Sequence, residues 1–284
     1  MPSRSSRHHA VAAALDKLAD TAFADALPLG EGVGGSTSRM TVDGTRVFVK
    51  RVPLTDRERD HPHSTRNLFD LPTFYQYGVG SAGFGGWREL AAHQRTTRWV
   101  LEGECANFPL LHHWRVVETP CRPADVDEQV AYWDGSAAVR ARLEAMAAAT
   151  TSLLLVLEYV PQNLNEWWTD NPGRIRWADD ELHATIDFLN TRGMVHFDAH
   201  PGNVLCDGRR LYVTDFGLAL DAGFDLSAEE AAFLDRHRDF DRPNIERYLA
   251  PMSPDGRHAE VATKMNDFYD RLVRGPKSTV RWPL

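Results

Sequence analysis

Between residues 195 and 217 two carboxylates and an amide occur at intervals that leave the backbone little choice. Val195-His196-Phe197-Asp198-Ala199-His200-Pro201-Gly202-Asn203-Val204-Leu205 is followed further on by Asp215-Phe216-Gly217. Between them lie the apolar run Val204-Leu205-Cys206, the turn pair Asp207-Gly208 and the run Leu211-Tyr212-Val213-Thr214, which together read as a tight hairpin. A hairpin of that length predicts Asn203 and Asp215 at neighbouring strand ends, where both reach one cation. Alone, Asp-Phe-Gly is an ordinary strand-to-turn step and His-x-Asp means little. The ordered pair carries the weight.

Far upstream, Leu29-Gly30-Glu31-Gly32-Val33-Gly34-Gly35-Ser36-Thr37 contains a G-x-G-x-x-G pattern at Gly30, Gly32 and Gly35. Backbone amides without a Cβ approach phosphate oxygens closely, and Ser36 or Ser38 adds a hydroxyl donor. The residues immediately after the glycines decide between nucleotide-binding classes. Arg39–Val42, the pair Asp43-Gly44 and Thr45–Lys50 predict a hairpin, whereas a dinucleotide fingerprint or a Walker A loop runs into a helix. Lys50 closes this alternating strand, so its side chain is expected on the face of Phe48, under the glycines.

In this order the three segments resemble the glycine, catalytic and metal loops of the protein-kinase-like superfamily, which includes eukaryotic-type protein kinases and the antibiotic and sugar phosphotransferases. The resemblance covers about residues 27–220. It implies an α+β, bilobal fold. Residues 1–160 form an N-terminal lobe built on a small antiparallel sheet, with an N-terminal helix and a long insertion at 51–86, and residues 161–284 form a mostly helical, abbreviated C-terminal lobe. It also implies ATP and Mg²⁺. Phosphoryl transfer to a hydroxyl needs a proton acceptor and hard oxygen ligands, here Asp198 for the proton and Asn203 and Asp215 for the metal. Gly30, Gly32, Gly35 and Ser36 cover the phosphates, and Lys50 reaches the α- and β-phosphates. Glu89, preferred to Glu102 and Glu104, holds Lys50. The Glu158 carbonyl and Val160 N–H meet adenine, Leu157 borders it and Leu205 lies beneath it. His200 supports the loop or touches the γ-phosphate, and His196 braces the loop. The run 152–161 that carries the adenine assignment reads equally well as a buried strand, so that assignment rests on order along the chain.

Departures from the pattern matter as much. Phe197 stands where protein kinases usually carry Arg, His200 where they usually carry Lys, and Phe48 where a small residue usually meets adenine. Ser227-Ala228-Glu229-Glu230 is a capping-box sequence that starts a helix soon after Gly217. It leaves little room for a long activation segment, and no Ala-Pro-Glu follows. Residues 51–86 read as a long loop, in which Phe69 and Phe74 are expected to pack and Tyr75 and Tyr77 are left open. Helical composition predicts helices over about Ala10–Ala26, Asp125–Ala149 and Trp177–Asn190, and the tail from Arg274 to Leu284 is expected to be loosely attached.

Length and composition set the limits. The 284 residues suffice for a sizeable core, and 43% hydrophobic with 25% charged residues is ordinary for a globular chain. A net charge of -8 offers no basic footprint for nucleic acid or anionic membrane and mildly suits a cationic acceptor. Three scattered cysteines, Cys105, Cys121 and Cys206, argue against a disulfide framework and for a cytoplasmic home. Asp16, Lys17, Asp20 and Asp25 break the apolar part of what superficially resembles a secretory signal. The leading functional reading is an ATP-dependent kinase acting on a Ser/Thr-type protein hydroxyl. A small-molecule O-phosphotransferase and a nucleotide-binding pseudokinase are the alternatives.

Overall fold

Alternating side chains build the first half of the molecule. The computed structural model describes residues 3–23, 26–32, 35–119, 126–253 and 255–282. Val33 and Gly34 of the glycine-rich turn, Cys121, and Pro283 and Leu284 lie outside the described residues. Helix α1 (Arg4–Leu15) leads into strands β1 (Leu27–Gly32), β2 (Gly35–Val42) and β3 (Thr45–Leu54). Helix α2 (Asp56–Arg59), helix α3 (Gly86–Leu101), strand β4 (Leu111–Glu118), helices α4 (Val126–Tyr132) and α5 (Ala137–Ala147) and strand β5 (Thr151–Glu158) come next. The five strands make one antiparallel sheet in the order β1-β2-β3-β5-β4. Asp43 and Gly44 both take positive φ, 45° and 76°, as a two-residue turn matched to strand twist requires.

Each face of the sheet has its own cover. Val47 and Val49 of β3 and Leu154 and Val156 of β5 pack under α1 through Val11 and Leu15. Val52 and Leu54 with Leu153, Leu155 and Leu157 face Trp87 and Leu90 of α3. Burying a side chain of this size stabilises the fold by roughly 1.5–3 kcal/mol. The period of two therefore puts Phe48 and Lys50 on the α3 side.

The second half is mainly helical. Strand β6 (Gln162–Asn163), helices α6 (Leu164–Asp170) and α7 (Ile175–Thr191) and strand β7 (Met194–Val195) precede the hairpin of β8 (Val204–Cys206) and β9 (Leu211–Val213). Strand β10 (Leu220–Asp221), which pairs with β7, and helices α8 (Ala228–Arg236), α9 (Asp241–Leu249) and α10 (Ala259–Arg274) complete the described chain. Both reciprocal bonds of the Ser227–Glu230 capping box at α8 are formed. Among the described residues no helix is long and apolar enough to cross a membrane.

Three expectations change. Residues 51–86 are not a loop throughout: β3 runs on to Leu54, α2 begins with its own Thr55–Glu58 capping box, and Thr73–Tyr77 is a 3-10 turn. Their aromatics form a separate core in which Phe69, Leu71, Tyr75 and Phe84 pack on Trp133, Leu143 and Met146 of the α4–α5 pair. The stretch 125–149 breaks at Asp134 and Gly135, both with positive φ, so it gives two short helices. The tail is packed, because Trp282 is buried against Phe240 and Phe268.

Candidate active site

Lys50 is the meeting point. Its Nζ donates to Glu89 Oε1 at 2.6 Å and to Asp215 Oδ1 at 2.7 Å. β3 delivers the lysine, the first turn of α3 the glutamate, and the turn after β9 the aspartate. Asp215 itself adopts the left-handed conformation, φ 63°. Burial alone would discharge Lys50, but the charges of Asp215 and Glu89 raise its pKa. Burial likewise pushes Asp215 up, and the Lys50 ammonium more than offsets it, holding the carboxyl at about 2. For Glu89 burial wins and the pKa is raised.

Asp198 belongs to the loop after β7. Asn203 Nδ2 donates to its Oδ2 at 2.9 Å and to its carbonyl at 3.1 Å. Loss of surrounding water, then the charge of Asp215, pushes this carboxyl up to about 7. Two neighbouring carboxylates thus sit in different protonation regimes, the arrangement acid–base chemistry requires. His196 joins the strands: its Nε2 is 2.9 Å from the Thr214 carbonyl and its Nδ1 accepts the Asp198 N–H at 3.3 Å. His200 Nδ1 accepts the Gly202 N–H at 3.0 Å, which turns Nε2 toward Asp198 Oδ2 at 3.9 Å. Burial lowers the His200 pKa.

The loop owes its shape to a residue that the motifs do not mark. Asp241, fully buried at the start of α9, accepts the N–H of His196 at 2.6 Å and of Phe197 at 2.8 Å. Phe197 has φ 63° and lies among Phe233, His237 and Phe240. An aromatic cluster therefore fills the position where a charged side chain is the usual expectation.

Two cavities join at Lys50, Thr37 and Asp215. One, of ≈ 390 Å³, is walled by Leu29, Phe48, Leu157, Val160 and Leu205 and ends at Asn203 and Asp215. Glu158 borders it too, its carboxylate held by Arg4 from α1. The other, of ≈ 610 Å³, contains Gly30, Gly35, Asp198 and His200. Gly35, at φ 136°, cannot be replaced without strain, since an added Cβ would lie 2.1 Å from the Arg51 carbonyl. Gly32 pairs with Gly35 across the turn. Ser36 lines neither cavity. Its neighbour Thr37, directly opposite Lys50 in the β2–β3 register, lines both and donates to the Gly30 carbonyl at 3.2 Å.

The larger cavity is roofed by a strap, residues 77–83, from the stretch expected to be a loop. Gln76 donates to the Leu218 carbonyl, and an added Cβ at Gly83 would lie 2.6 Å from the Gly217 carbonyl. At Gly78 the same test atom would fall 3.4 Å from Asp198 Oδ1. At Gly83 only glycine permits so close an approach, whereas at Gly78 the distance is an ordinary contact and the positive φ of 80° is what favours glycine.

Oxygen chemistry is available for a metal. Asn203 Oδ1 and Asp215 Oδ2 accept no hydrogen bond among the described residues, while the nitrogen of one and the second oxygen of the other are committed. One amide and one carboxylate suit Mg²⁺, which fills its remaining positions with phosphate and water.

No protein-family model matches the chain. Over 86 residues, 28% of the chain, it is 31% identical to Serine/threonine-protein kinase YPK3 of Saccharomyces cerevisiae. Over 88 residues, 29% of the chain, it is 33% identical to Serine/threonine-protein kinase PKH3 of the same yeast. The matched stretches span 16% and 10% of those two proteins. These partial likenesses support a protein-kinase-like relationship.

Proposed function

We propose that this chain is an ATP-dependent phosphotransferase with a bilobal, kinase-like arrangement, residues 1–160 forming the smaller lobe and 161–284 the larger. The observation that carries the reading is the bond from Lys50 to both Glu89 and Asp215, made where an apolar cavity meets one containing Asp198. Adenine occupies the apolar cavity, between Phe48 and Leu157 on one side and Leu205 on the other, with Glu158 and Val160 at its edge. The phosphates pass under Gly30, Gly32 and Gly35 to Lys50, with Thr37 rather than Ser36 lining their path. Asn203 and Asp215 would hold Mg²⁺, which would neutralise phosphate charge.

Asp198 orients the acceptor hydroxyl and takes its proton. The bond from acceptor oxygen to the γ-phosphorus forms as the bond from that phosphorus to the ADP oxygen breaks, and the proton passes from Asp198 to solvent. Most of the acceleration comes from positioning and charge stabilisation.

The yeast likenesses favour a Ser/Thr side chain as acceptor, whereas the strap over Asp198 favours a small molecule, and we take the latter reading. Incubation with γ-labelled ATP and Mg²⁺ tests the chemistry, with a general protein acceptor or with small alcohols. Label transfer to either supports phosphoryl transfer. Nucleotide binding without transfer or hydrolysis marks a pseudokinase, and failure to bind ATP overturns the proposal.

A further inference from the structure

The acceptor-side cavity has a cation that phosphoryl transfer does not use. Three cations border it. Lys50 is answered by Glu89 and Asp215, and Arg142 by Glu58 at 2.7 Å. Arg247 has no carboxylate partner among the described residues. Its Nε donates to Asn266 Oδ1 at 2.8 Å, and its guanidinium lies over the rings of Tyr248, at 4.8 Å, and Tyr269, at 4.2 Å. Its Nη1 is buried with no hydrogen-bond partner. Two aromatic faces and an amide therefore fix a planar cation at the cavity wall and leave it short of acceptors. Such a fork matches the geometry of a carboxylate or phosphate. Nearly all buried polar groups find a partner, so an unanswered one is informative.

The acids point the same way. Glu89 and Asp215 are held by Lys50, and Asp198 is held by Asn203 beside the reacting hydroxyl. Every carboxylate lining this cavity already belongs to the catalytic set, so none outside that set is left to receive an ammonium group, whatever the net charge of -8 suggests for the molecule as a whole. Size is a further limit. A volume of ≈ 610 Å³ lined by a strap whose Gly83 packs against the Gly217 carbonyl suits a small molecule better than a peptide strand.

We infer that the acceptor is a small alcohol bearing an oxyanion, seated on Arg247 with its hydroxyl at Asp198. The inference rests on the phosphotransferase reading above and narrows it.

The test uses the full chain with ATP and Mg²⁺, monitoring ADP release and label transfer. One arm offers hydroxy acids such as glycerate and homoserine and another offers sugar phosphates such as ribose 5-phosphate, which separates carboxylate from phosphate. Control arms hold an aminoglycoside and casein. Transfer to a hydroxy acid or a sugar phosphate is expected. Arg247→Met should raise the acceptor KM about 50-fold or more, in line with the loss of a charge-assisted bidentate contact. The ATP KM should stay within about twofold. Arg247→Lys should recover part of the loss, and thermal melting with an ATP analogue checks that both variants fold. Transfer to the aminoglycoside or casein alone overturns the inference and leaves phosphoryl transfer standing. An Arg247→Met enzyme with an unchanged acceptor KM also overturns the inference, as does intact ATP binding with no transfer to any oxyanion alcohol at millimolar concentration. Absence of ATP binding overturns both.

Discussion

Asp198 and Asp215 share a residue type and a site, and their surroundings make them different reagents. A water-poor setting beside another negative charge leaves Asp198 ready to hold a proton, while Lys50 keeps Asp215 ionised. Asp198→Asn preserves shape and the contact with Asn203 but removes the proton acceptor. Its kcat should fall about a thousandfold or more while ATP affinity stays within about twofold, as measured by ADP release and nucleotide titration. A variant that turns over normally would show that another group takes the proton. At this scale the convergence of Lys50 with Asp215, and of Asp198 with Asn203, was legible where residue type and local spacing coincide. The two-residue turn at Asp43-Gly44 also fixes Thr37 opposite Lys50, so the shift from Ser36 to Thr37 was available to anyone who carried the register through. Asp241 and Arg247 were not legible. Their roles exist only because α9 packs beside a loop some forty residues earlier, and nothing local marks an aspartate at a helix start as a brace.

Helix α1 shows what an element adds to residues. His8 Nδ1 lies 3.0 Å from His112 Nδ1 on β4, a contact that needs one donor and one acceptor and so cannot survive double protonation. Burial first, then nearby charge, depresses both pKa values, His112 to about 4. Arg4, Arg7 and His9 disfavour a proton there and Glu158 favours one. The unfolded chain therefore binds protons that the folded chain does not, and stability present above pH 6.5 is lost as pH falls toward 4. At pH 5 the loss at His112 alone is about 2 kcal/mol. The melting temperature should fall between pH 7.5 and 5, less steeply in His112→Gln, and equal slopes in the two proteins would refute this origin. Strong periodicity made β3, β5 and α7 readable. Residues 51–86 were opaque because their partner, the α4–α5 pair, is distant in sequence, and aromatic side chains without a period do not reveal what they will pack on. The tail was misjudged for the same reason: Trp282 finds its place only against Phe240 and Phe268.

At the scale of the whole molecule, stability depends on a few side chains that tie separate cores together. Arg4 bonds the Glu158 carboxylate and the carbonyls of Ala106 and Phe108, and it stacks over Tyr212. Arg4→Ala should cost about 1–3 kcal/mol, because charge-assisted bonds are lost and Glu158 keeps only the Leu110 N–H. It should also raise the ATP KM, and unchanged melting and KM would refute the tether. The strap is the second such tie. Tyr75 is anchored in the core beside α4 and α5, and Tyr77 two residues later in the core of α8 and α10, with its hydroxyl 2.7 Å from His237 Nε2. On the phosphotransferase reading, a breathing between sheet and helices that admits nucleotide would carry the roof across the acceptor-side cavity. The two proposed substrates would then not come and go independently, and product-inhibition patterns should reveal a compulsory sequence in which nucleotide enters first and leaves last. Random-order patterns would mean that the roof moves on its own.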